Sequence, residues 1–140
     1  MRIFKKVFRA LRRPAVREIV SCERITLRIS GMRSTTEYVI TGGEDAVLSL
    51  YHIRAAHGEK VRTLEKSVSI RGAQLIGLLC SCGVSRWDGF HGAHPKHVSD
   101  GDMFTFTAVV NGGVTIRADG SANFPRGYHE FVRALCDMLQ

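Results

Sequence analysis

The hydrophobic positions of this chain change period several times, and each change marks an element. Ile3, Phe4, Val7, Phe8 and Leu11 recur at three- and four-residue intervals with Lys and Arg between them. That spacing predicts an amphipathic helix over 1–13, ending before Pro14. From Glu23 the period becomes two. Ile25, Leu27 and Ile29 alternate with Thr26, Arg28 and Ser30, the pattern of a half-buried strand, and Gly31 ends it. Further strands are expected at 35–41, 46–54 and 60–66. Gly42-Gly43-Glu44-Asp45 and His57-Gly58-Glu59 supply the turns. Connections this short favour antiparallel neighbours, so the four strands are expected to form a meander.

Over 71–82 the pattern turns helical again, with Leu75, Ile76, Leu79 and Cys80 on the buried side, Ser69 as the expected N-cap and Gly83 as the stop. A polar, Gly- and His-containing loop is expected over 85–102. Phe104, Phe106, Ala108 and Val110 then alternate along 103–110, and Asn111-Gly112-Gly113 turns that strand back into 114–118. Pro125 opens a last helix whose apolar stripe is Tyr128, Phe131, Val132, Leu135, Cys136 and Leu139. The expected class is α+β: an antiparallel sheet, made of a four-strand meander plus a C-terminal hairpin, with helices packed on one face. The chain of 140 residues divides into a basic arm, 1–18, and a single domain, 19–140.

Charge sharpens that division. The formal charge of +7 is concentrated in the arm, where Arg2, Lys5, Lys6, Arg9, Arg12, Arg13 and Arg17 meet only Glu18. The remainder is nearly neutral, so any attraction to nucleic acid or to an anionic membrane belongs to the arm, through Lys5, Lys6, Arg9, Arg12 and Arg13. Docking of its apolar side on the domain is the third role open to it. The arginines interrupt any signal-peptide core, and no apolar run reaches the ~18 residues a membrane span needs. A cytoplasmic protein is expected, with the arm able to hold it at the inner face of the membrane. In that compartment Cys22, Cys80, Cys82 and Cys136 are expected to be free thiols, Cys136 as a small buried hydrophobe.

The last third of the chain carries a more specific pattern: Trp87-Asp88-Gly89-Phe90, then Asp100-Gly101-Asp102, then Gly120-Ser121-Ala122-Asn123-Phe124-Pro125 and Gly127-Tyr128. It resembles a group of uncharacterised bacterial proteins in which a W-D-G-F loop, a strand and an N-x-F-P-x-G-Y helix start recur. The resemblance implies a fold and no activity. Physically, Trp87 and Phe90 are expected to plug one end of the core. The functional reading makes Trp87, Asp88 and Phe90 a binding rim.

Candidate chemistry is sparse. His91, His94 and His97, with Cys80 and Cys82, form the one set with metal-ligand character. On a helix, however, the two cysteines point about 200° apart, and Gly92 and Pro95 break any helix that would align the histidines. No phosphate loop, dinucleotide fingerprint or H-E-x-x-H motif is present, so no cofactor is expected. The reading that remains is a non-catalytic binding or interaction module with a protein partner, working through the sheet face or the Trp87 loop. The alternative is a metal- or thiol-dependent enzyme using segment 80–97.

Overall fold

The computed structural model describes residues 18–32 and 34–140. The predicted N-terminal helix and its bases Lys5, Lys6, Arg9, Arg12 and Arg13 lie outside the described residues. Within them the chain runs β1 (Cys22–Ser30), β2 (Thr35–Thr41), β3 (Asp45–Ala56), β4 (Glu59–Arg71), α1 (Gly72–Ser81), a 3-10 turn (Val84–Arg86), β5 (His91–Gly92), β6 (Met103–Val110), β7 (Val114–Ser121) and α2 (Tyr128–Met138). The class is α+β, with one sheet and two helices.

The expected sheet, a four-strand meander plus a C-terminal hairpin and antiparallel throughout, is corrected. The structure has one seven-stranded mixed sheet, in the order β4-β3-β2-β1-β6-β7-β5. Two facts account for the difference. The hairpin joins the free edge of β1, with Ile25 opposite Ala108 and Leu27 opposite Phe106, because both strands present their apolar residues to the same side. A further strand then forms inside the expected loop: β5 pairs parallel with β7, setting His91 opposite Asp119 and Gly92 opposite Gly120. Two residues are too few to show any period. Both glycines pass so close to Asn123 that a Cβ at either would collide with its carbonyl oxygen.

One face of the sheet carries the core. Ile25, Leu27, Ile40, Leu48, Ile116 and Phe106 share a single buried cluster with Leu75 and Leu79 of α1 and with Phe131 and Leu135 of α2. Trp87 belongs to the same cluster and is 1% exposed. Its ring meets Phe106 edge-on at 4.9 Å and Phe131 at 5.6 Å, and its indole N–H donates to the Arg126 carbonyl at 2.9 Å. A fully buried ring of this kind contributes upwards of ~2 kcal/mol.

The helix boundaries follow local chemistry. Helix α1 starts after Arg71 rather than at Ser69, which is held in β4 opposite Val47. Gly83 ends the helical segment at φ 69°, in the left-handed region that favours glycine. Gly127, at φ 89°, precedes α2. At the other end of the domain, Asn111 ties the chain entering β1 to the β6–β7 turn. Its Oδ1 accepts from the N–H groups of Val20 and Ser21, and its Nδ2 donates to the Glu18 carbonyl. Among the described residues no helix is long and apolar enough to cross a membrane.

All four cysteines are free. Cys136 departs from expectation: it is exposed, with its Sγ 3.3 Å from the Tyr38 hydroxyl, because the buried stripe of α2 runs through Phe131, Leu135 and Leu139 on either side of it. Cys22 and Cys82 are the buried pair. Burial, aided by the charge of Glu23, pushes the Cys22 thiol up to about 11, and burial also raises that of Cys82. Thiolate is the reactive form. Titration of native protein at pH 8 with a disulfide reagent is therefore expected to consume Cys80 and Cys136 rapidly, and Cys22 and Cys82 only on unfolding. Rapid modification of all four would contradict this burial pattern.

Candidate functional site

The second face of the sheet carries no helix among the described residues, and strand register arranges its side chains into rows. One row crosses every strand. His91 stands opposite Asp119, Asp119 opposite Thr105, Thr105 opposite Arg28, Arg28 opposite Glu37, Glu37 opposite Tyr51, and Tyr51 opposite Leu64. The sheet thus gathers residues as far apart in sequence as Arg28 on β1 and Asp119 on β7 onto a single strip whose far end is His91 and Asp119.

Glu37 is the centre of the strip. It is 3% exposed and is the one buried charged residue among those described. Arg28 reaches it with Nε and Nη2, at 3.0 and 2.7 Å from Oε2. Arg62 does the same to Oε1, at 3.0 and 2.6 Å, and its guanidinium carbon lies 3.5 Å over the Tyr51 ring. Each oxygen therefore receives two charge-assisted bonds from a different arginine. Burial by itself raises the Glu37 carboxyl, and the bonds and charges of Arg28 and Arg62 reverse that effect, holding it below its ordinary value. The arginine side chains stay about half exposed, at 50% and 46%. The arrangement fixes two cations at a surface by burying one anion beneath them.

A cleft of about 390 Å³ opens at the His91 end of the strip, bordered by Arg28, Met103, Phe104, Asp119 and Ser121 with the loop that carries both histidines. His91 Nδ1 lies 2.5 Å from Asp119 Oδ1. His94 Nδ1 lies 2.8 Å from Ser121 Oγ, and its Nε2 meets the Val98 carbonyl at 2.5 Å.

The sequence-derived candidates separate on this framework. His91 and His94 share the cleft just described, while Cys80 and Cys82 border another, beside Trp87, Arg126 and Glu130. His97 sits at φ 72° in the turn between them and β6. No group of three or more His, Cys, Asp or Glu among the described residues is placed to hold a metal ion. Of the expected rim, Trp87 is enclosed in the core, Phe90 is half-buried and stacks on Phe104 with centroids 6.4 Å apart, and Asp88 accepts from the Arg117 N–H at 3.0 Å. The W-D-G-F loop thus stitches the edge of β7 to the core. Arg28, Glu37, Arg62 and Tyr51 carried no motif. The only hint in the sequence was a charged residue at the solvent-facing phase of three predicted strands, which is also how an ordinary wet face reads.

The chain matches no family model, no curated protein and no solved structure.

Removing the Glu37 charge tests the clamp. Glu37→Gln is expected to cost about 1–2 kcal/mol at pH 7, less than the ~3–5 kcal/mol of a fully buried pair, because both guanidiniums remain half in water. The folded carboxyl titrates below its unfolded value, so its contribution is fully present above the unfolded pKa of ~4.3 and is lost as pH falls through the folded one. Urea unfolding of wild type and variant should therefore show a gap that is constant above pH 5 and closes towards pH 3. A gap independent of pH would contradict it.

Proposed function

We propose that the protein is a binding module that receives an acidic segment of a protein partner on the helix-free face of its sheet. The clamped pair Arg28 and Arg62 carries this reading. Binding ordinarily costs about 0.5–1.5 kcal/mol for each long side chain that must be immobilised. Here the carboxylate of Glu37 has already fixed both guanidiniums, and planar guanidinium groups suit carboxylate recognition.

The charge of the face supports the same partner. Of the acids on this face, Glu37 and Asp119 are engaged by basic side chains, and Asp45 stands opposite Arg71 in the strand register. Arg24 and Arg117 are exposed on the same side. A single-stranded nucleic acid fits less well. Sheet surfaces that bind it offer free aromatic rings for base stacking, and Tyr51 is covered by Arg62.

The basic arm adds a second, general attraction to anionic surfaces, in keeping with a cytoplasmic protein that visits the inner face of the membrane. The C-terminal motifs are consistent with the uncharacterised bacterial family they resemble. Their residues are spent on core and turn.

Titration of a fluorescent Asp/Glu-rich peptide into the full chain tests the proposal. Arg28→Ala with Arg62→Ala should weaken binding at least tenfold at 150 mM salt, and Lys5→Glu with Arg9→Glu by much less. An equal loss in both double variants would transfer the site to the arm. Tighter binding of a single-stranded oligonucleotide or of anionic vesicles, insensitive to Arg28 and Arg62, would reject the proposal.

A further inference from the structure

The cleft at the β5–β7 edge contains a polar arrangement that partner binding does not use. His94 is held at both ring nitrogens. The Val98 carbonyl can only accept, so a neutral His94 must carry its proton on Nε2 and donate it there. Nδ1 is left with its lone pair directed at Ser121 Oγ, 2.8 Å away, and the hydroxyl is the donor of that bond. This is a nucleophile within reach of a base whose tautomer is set by a third group. A backbone carbonyl takes the orienting role that a carboxylate has in hydrolytic triads.

Two further features belong to the same place. Ser121 is the last residue of β7, and Ala122 immediately after it has φ 49°, a conformation that a residue with a Cβ adopts only under local constraint. Arg28 also borders the cleft, with its Nε and Nη2 held by Glu37.

We propose that Ser121 is an activated nucleophile, with His94 as its general base, that accepts acyl groups from small esters. Ser121 Oγ bonds to the ester carbonyl carbon while its proton passes to His94 Nδ1. The carbon–oxygen bond to the alcohol breaks, and the departing alkoxide takes that proton. Water then attacks the acyl-serine, giving its proton to the same Nδ1. The released serine oxygen recovers it, and the acid leaves. No redox partner or cofactor enters the balance. The N–H that follows the serine is already committed, since Ala122 donates to the Asp102 carbonyl at 2.8 Å. Acceleration is accordingly limited to what a general base supplies, about 10²–10⁴-fold. Only Arg28 is shared with the acidic-partner reading, and the pair of Ser121 and His94 survives that reading's failure.

The test is covalent labelling of the full chain with a fluorophosphonate, located by peptide mass, alongside hydrolysis of p-nitrophenyl acetate. The expected result is one label, on Ser121, absent after unfolding in urea. The labelling rate should be slower in D2O than in H2O, because the Ser121 proton moves to His94 as the bond forms. Ser121→Ala should abolish the label and lower ester hydrolysis at least tenfold. His94→Gln should slow labelling about 100-fold. Because that variant could disturb the loop, the solvent isotope effect on the wild type is the second, independent reading. A wild-type rate unchanged in D2O would overturn the proposal. So would labelling no faster than in the unfolded chain, or a label on some other residue.

Discussion

A carboxylate that is 3% exposed and shared by two arginines organises the helix-free face of this protein. Stripping Glu37 of water is costly, and the cost is offset only because each oxygen receives a full set of donors from β1 on one side and β4 on the other. The bonds span three strand pairings, so they require the register of β1 on β2, β2 on β3 and β3 on β4 together. A slip of one residue at any of them would turn Glu37 or one of its arginines towards the apolar core. The ion cluster is therefore tied to sheet register as closely as the hydrophobic pattern on the opposite face.

That opposite face explains why the functional surface is where it is. Helices α1 and α2, the 3-10 turn and the Trp87 ring all pack on one side, where Phe104, Phe106, Phe131 and Tyr128 build the aromatic core. Among the described residues, the other side of the sheet has only its own side chains to satisfy its polar groups. Cross-strand pairing does so in the middle, at Arg28, Glu37 and Arg62, and at the edge, at His91 with Asp119 and His94 with Ser121. The polar groups of this face are thus held in fixed geometry, beside exposed Leu64 and Met103, which suits recognition.

Much of the fold was legible as periodicity. Alternation over 25–30 and 104–110, and the stripe from Tyr128 to Leu139, located strands and a helix because burial on one face leaves a period in sequence. The joining of the hairpin to β1 was not legible, since neither strand says which edge it will meet. Strand β5 was invisible because His91-Gly92 is too short to have a period. Trp87 in a polar loop was correctly suspected of plugging the core, but its exposure could not be known without the aromatic neighbours that enclose it. The spacing of His91, His94 and His97 offered a metal set only as the alternative reading, and the chain sends the first to Asp119, the second to Ser121 and Val98, and the third into a turn. The clamp was hidden for a different reason: its members lie 9 and 25 residues from Glu37, and only register brings them together.

The central claim is that one buried anion immobilises two half-exposed cations, and side-chain relaxation at the arginine Nε–H groups measures it directly. Nitrogen-15 order parameters for Arg28 and Arg62 should approach those of rigid backbone, about 0.85, while exposed arginines elsewhere on the sheet fall below about 0.6. In Glu37→Gln both should drop to the exposed range together. Order parameters below about 0.6 for Arg28 and Arg62 in the wild-type protein would mean that the clamp does not exist in solution.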